Sequence, residues 1–147
     1  MTFLPGFELA ATGTDIDPSG DDFYTPGWLL EIVGEIGLDP CWAAGSLVQA
    51  DRTFDLRRGE DGLELEWTGE GIVFANVPFS NTSAWLAKAA RQAERHKRVV
   101  VVLCPAVPGD GPWVKHVWPH AEAVGFIQGR VEFVAPDGKL VEKGRGH

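Results

Sequence analysis

The stretch Ile72-Val73-Phe74-Ala75-Asn76-Val77-Pro78-Phe79-Ser80 reads as a buried strand that stops on a polar turn. Residues 72–75 are apolar and β-favouring, and Asn76 ends the run. Ser80 or Asn81 is placed to cap a following helix through about His96, with Trp85, Ala89 and Ala93 on its inward side. Residues 99–103 are then four valines and a leucine. So continuous an apolar run is expected of a central parallel strand covered on both faces. Strand, helix, strand in this order predicts an α/β fold with a mostly parallel sheet and flanking helices.

Working outward, Tyr24-Thr25-Pro26 opens a second helix, with Thr25 as N-cap and Pro26 at the first helical position. Leu29, Ile32, Val33 and Ile36 keep helical spacing, and Gly37 is the expected stop. Leu38-Asp39-Pro40-Cys41 is a short strand running into a loop. Residues 42–71 are polar and weakly periodic, a loop with one short helix. Residues 105–111 are a Pro/Gly-rich loop, and a short helix near residues 113–121 is limited by Pro119. Two strands, residues 124–127 and 131–134, are expected around Gly129-Arg130. The expected organisation is a loose leader over 1–20, one domain over 21–136 and a polar tail over 137–147.

Composition narrows the class. The chain has 147 residues, no apolar run near membrane-spanning length and two cysteines, so a cytoplasmic protein without disulfides is expected. Net charge is −8. The first 80 residues carry 15 Asp/Glu against 3 Lys/Arg and the remainder 6 against 10, which leaves room for a basic surface in the second half. His116 and His120 lack a third ligand in the sequence, so no metal site is expected. The stripe Lys88, Arg91, Arg95 reads first as a solvated face.

In an open α/β sheet, ligands bind beyond the carboxyl ends of the strands, where Asp39-Pro40-Cys41 and Asn76-Val77-Pro78-Phe79 both fall. The second motif suits a specific task. An exocyclic amine on a purine is a poor nucleophile because its lone pair is delocalised into the ring. Accepting hydrogen bonds from both N–H groups draws that nitrogen toward a tetrahedral geometry. Asn76 offers a side-chain oxygen, Val77 a main-chain carbonyl aimed by Pro78, and Phe79 a ring to stack on an extruded base. Alone, the same four residues also make an ordinary turn after a strand.

The ordered set of Tyr24-Thr25-Pro26, Leu38-Asp39-Pro40-Cys41, Asp61-Gly62-Leu63 with Trp67, and Phe74-Ala75-Asn76-Val77-Pro78-Phe79-Ser80 resembles the phage-type DNA N-6-adenine methyltransferases. Trp85 with Lys88-Ala89-Ala90, residues 100–105, Trp113, and Ile127-Gln128-Gly129-Arg130 with Phe133 extend the likeness. The resemblance implies a Rossmann-like methyltransferase fold with S-adenosylmethionine as cofactor. It also implies double-stranded DNA as partner, with the target adenine flipped out, and the host cytoplasm as location if the chain is phage-encoded. By that analogy Thr25, Pro26, Asp39 and Pro40 bind the cofactor. Asn76, Pro78 and Phe79 are catalytic, and Val77, Ser80 and Arg130 contact substrate.

The chain departs from the pattern in four places. Val77 stands where the family usually has proline, no arginine follows Pro105-Ala106, and a GxGxxG loop is absent. Relatives also continue into a further apolar strand after the position of Phe133, so the C-terminal end is expected to be short. Amine methylation on RNA or on protein glutamine, a decayed protein that only binds cofactor or nucleic acid, and an acidic DNA mimic are the alternatives.

Overall fold

A computed structural model describes residues 24–129 and 131–134, and the backbone of residues 9–11. In chain order its elements are β1 (Leu9–Ala11), α1 (Gly27–Val33), β2 (Ile36–Asp39), β3 (Ala50–Thr53), β4 (Ile72–Asn76), α2 (Thr82–His96), β5 (Val100–Pro105) and β6 (Gly125–Ile127). The strands lie side by side in the order β3-β2-β4-β5, continued by β1 and β6, and every neighbouring pair is parallel. At the centre Val73 stands opposite Val100 and Asn76 opposite Leu103.

The unbroken apolar runs follow from the pleat. Successive residues of a strand face opposite sides, so a strand covered on both sides needs apolar residues throughout. Val73, Ala75, Val100, Val102 and Cys104 face one core layer with Trp85, Leu86, Ala89 and Ala93 of α2 and with Trp113 and Val117. Phe74, Val101 and Leu103 face the other, with Leu29 and Val33 of α1 and with Val131 and Phe133. Each fully buried side chain of this size contributes about 1.5–3 kcal/mol relative to exposure. The sheet is thereby fixed as a rigid platform from which loops project.

Several sequence expectations are corrected. Helix α1 ends at Gly34, whose φ of 86° suits glycine, and not at Gly37. Ile36 fits helical spacing but opens β2, and Ile32 is exposed. Pro26 occupies the cap position and no side chain caps the helix, so Thr25 is not its N-cap. The polar stretch 42–71 contains β3 as well as the expected short helix, Leu56–Arg58. Residues 131–133 form no strand. Val131 and Phe133 are buried and Glu132 is exposed, as alternation predicts, but among the described residues the pairing is one antiparallel bridge between Tyr24 and Val134. The stretch 1–20 contains β1, which lies between β5 and β6. Arg130 and the polar tail lie outside the described residues. Among the described residues no helix is long and apolar enough to cross a membrane.

Candidate active site

From β2 the chain crosses to β3 on one side, while β4 lies on the other side of β2 and leads through α2 to β5. The connections leaving β2 and β4 therefore diverge at the carboxyl edge of the sheet. Such a switch point opens a crevice. Here it holds a cavity of about 310 Å³, within the range that takes a small-molecule ligand. Asp39, Pro40 and Cys41 line it from the end of β2, and Asn76 and Pro78 from the end of β4. Tyr24 and Thr25 enter from before α1, Phe54 and Asp55 from after β3, and Trp85 from α2.

Asp39 is only 3% exposed. Its Oδ1 accepts the main-chain N–H of Cys41 at 3.0 Å. Burial pushes its carboxyl up to about 7, against the opposing pull of hydrogen bonds from Cys41. The Cys41 thiol donates to the main-chain carbonyl of Asn76 at 3.2 Å, tying the β2 turn to the β4 turn. Burial and the neighbouring Asp39 push that thiol well above its ordinary pKa, so it stays a donor. Thr25 is 1% exposed, and the described residues offer its hydroxyl no hydrogen-bond partner. A buried orphan hydroxyl costs about 1–3 kcal/mol, which a polar ligand in the cavity would recover.

The β4 turn is held from behind. Val77 is buried and its N–H donates to Leu103 O at 3.3 Å. Proline at this position would lose that bond. Pro78 has φ −58° and ψ 127°, and its carbonyl accepts from Asn81 N–H at 3.1 Å. Phe79 is half-buried, edge-on to Phe133 at 5.7 Å. Among the described residues Pro26, Val77, Phe79 and Ser80 lie outside the cavity lining, and Ser80 is exposed.

The wall opposite comes from the stretch that sequence reading left as loop. Gly62 presses against the β2 turn so closely that a Cβ there would stand 1.9 Å from Pro40 O. Trp67 holds the wall by donating its Nε1 to Gly62 O at 2.8 Å. Asp55 is buried and accepts from Arg57 through its main-chain N–H at 2.9 Å and its guanidinium at 2.8 and 3.2 Å, which holds its carboxyl low. Sequence reasoning missed Asp55; the one available signal was an acid just past Phe54 where an unrecognised strand ends. The basic stripe of α2 is partly neutralised: Arg95 and His96 each meet Glu66 at 2.7 Å, and Lys88 is buried. Among the described residues no group of three or more His, Cys, Asp or Glu stands together as a metal site.

Sheet order and cavity together define an α/β protein with a cavity at the carboxyl edge of a parallel sheet. A family profile described as DNA N-6-adenine-methyltransferase (Dam) matches residues 15–145. Since the match covers most of the chain, the protein belongs to that family. No curated protein and no solved structure shows a match.

Proposed function

We propose that this chain transfers a methyl group from S-adenosylmethionine to the N6 amine of adenine in DNA, on a methyltransferase fold of the Rossmann-like kind. The observation that carries the reading is the shared cavity: the buried Asp39 and the orphaned Thr25 hydroxyl open into the space that Asn76 and Pro78 also line. The donor set fits the cofactor. Asp39 is an acceptor for its amino or hydroxyl groups, Thr25 is a donor and acceptor near the start of α1, Pro40 shapes the wall, and Pro26 stands outside the lining at the cap of α1. Asp55, at the end of β3, adds a second buried carboxylate. When bound, S-adenosylmethionine supplies an electrophilic methyl on a positively charged sulfur.

The protein's own part is positioning and polarisation. Asn76 accepts one N–H of the adenine amine through its side-chain oxygen, and the Val77 carbonyl accepts the other. Both bonds strengthen as the nitrogen becomes tetrahedral and positively charged, so they favour the transition state over the ground state. Pro78 keeps the Val77 carbonyl aimed inward. Phe79, its ring braced by Phe133, stacks on the extruded base, and Ser80 is a further substrate contact, a role the family resemblance also gives to Arg130. The surplus proton leaves to solvent after transfer.

Val77 is the feature that most favours a decayed, purely binding relative. Its carbonyl is unaltered by the change from proline, and its N–H fastens the turn to β5. Titration calorimetry with S-adenosylmethionine, followed by transfer of a labelled methyl to unmethylated DNA, tests the reading. Binding with label appearing at adenine N6 is the expected result. A folded protein that binds neither S-adenosylmethionine nor S-adenosylhomocysteine overturns it.

A further inference from the structure

A second surface, apart from the cavity lining, has its own chemistry. Residues Trp113–Val117 form a π-helical turn, closed by Trp118 N–H donating to Trp113 O at 3.1 Å. The turn hangs from the carboxyl end of β5. Trp113 Nε1 donates to Pro105 O at 3.0 Å, and Trp118 Nε1 to Pro108 O at 2.9 Å. Trp113 is fully buried, stacks on Phe126 at 6.0 Å and meets Trp118 at 5.5 Å. Above it Val114, Trp118 and Phe126 remain 54%, 50% and 55% exposed. Both indoles are already fixed by their N–H groups, so a partner that covers this surface has little side-chain entropy to remove. Short π-turns are rare and concentrate at functional sites.

The rim is cationic. Lys115, His116 and His120 lie on or beside the turn, and Arg91 approaches from α2. Burial, and then the neighbouring His120, Lys115 and Arg91, hold His116 below its ordinary pKa, so the rim's cations are Lys115 and Arg91. Asp110 and Glu122 flank the turn in sequence and are not among the groups acting on His116. In a chain of net charge −8, a polyanion is repelled by most of the surface and held where cations gather. The position is also apt. Asn76 stands opposite Leu103, just before the Pro105 carbonyl that anchors Trp113, so turn and cavity open at the same edge of the sheet.

We propose that this aromatic turn docks the DNA flanking the target adenine, with Trp118 and Phe126 against sugar and base edges and Lys115 and Arg91 on phosphates. The assignment rests on the reading of the chain as a DNA methyltransferase. Its test is fluorescence anisotropy of the full chain with a short labelled unmethylated duplex, at low and moderate salt. Trp118→Ala and Lys115→Glu are compared with wild type, and calorimetry with S-adenosylmethionine is run on all three. Lys115 is exposed, so its charge reversal leaves the fold intact even where Trp118→Ala perturbs the turn. Each variant is expected to weaken duplex binding about tenfold, with cofactor affinity unchanged. Lys115→Gln should flatten the salt dependence by about one counterion.

Duplex affinity within about twofold of wild type in both variants would overturn the docking surface. So would a wild-type dimer that Trp118→Ala separates without loss of DNA binding, since the covering partner would then be a second copy. The two proposals fail separately. Duplex binding lost in the variants of a protein that never binds S-adenosylmethionine sinks the methyltransferase reading and keeps the surface. Methyl transfer with an unaltered KM for DNA in the variants does the opposite.

Discussion

Two charges are buried at opposite ends of this sheet, and they are treated differently. Arg98 stands just before β5, at the amino edge, and is 6% exposed. Its guanidinium makes five hydrogen bonds to the carbonyls of Trp67, Thr68, Glu70 and Gly71. Asp39 ends β2 at the carboxyl edge and is equally buried, yet among the described residues Cys41 alone hydrogen-bonds its carboxyl group. A buried charge that is fully hydrogen-bonded belongs to the architecture. One left short of partners, beside a cavity, keeps hydrogen-bonding capacity that a ligand could take up, as the proposed function requires. The amino edge is thus closed by its own side chains and the carboxyl edge is left open.

The largest expected effect breaks the closed end. Arg98→Ala strands four inward carbonyls and should lower the unfolding free energy by about 3 kcal/mol or more, read by chemical denaturation. Cofactor affinity of the fraction that remains folded should not change. At the open end the order of loss is reversed. Asn76→Ala should reduce methyl transfer about a hundredfold, the scale of one lost transition-state hydrogen bond. Its stability and S-adenosylmethionine binding should stay close to wild type; a parallel loss of binding would mean that Asn76 holds cofactor instead.

Asp39 sharpens the contrast through pH. Its carboxyl is raised from 3.8 to about 7 in the folded state, so the folded protein holds the proton more tightly than the unfolded chain does. The stability this contributes is present in full below about pH 4 and is lost as pH rises through about 7. Cofactor that donates to the ionised carboxylate follows the opposite sense. Its affinity should rise about tenfold between roughly pH 6 and pH 8, and Asp39→Asn should abolish that slope. Calorimetry across the window decides it, and an unchanged slope in the variant would remove Asp39 from the cofactor site. Thr25→Val is the smallest change. Losing the orphan hydroxyl should leave the ligand-free protein as stable or about 1 kcal/mol more so, while weakening cofactor binding a few-fold.

What could be read from the residues follows the same division. The central strands were legible because both faces are buried and the apolar run is unbroken, as at residues 99–103. The Asn76 turn was legible because it interrupts such a run. Strand β3, Ala50-Asp51-Arg52-Thr53, was not, because an edge strand half-open to solvent carries no apolar pattern. With it went Asp55, whose meaning depends on standing at the end of that strand. Gly37 was mistaken for the end of α1 because Ile36 satisfies both helical spacing and the start of β2. Strand β1, at three residues, is too short for periodicity to register. That the described residues leave the Thr25 hydroxyl without a partner has no signature in sequence at all, since it is a property of its surroundings in the fold.

The contact between Gly62 and Pro40 bears on how such a chain can drift. The smallest possible side chain at position 62 would fall 1.9 Å from Pro40 O and 2.9 Å from Trp85. Accepting it means moving the turn that carries Asp39. Exposed neighbours such as Glu64 and Leu65 are free to vary one at a time, whereas position 62 has no neighbouring step. In a lineage descended from this chain, a residue other than glycine there would mark a copy whose pocket has changed shape.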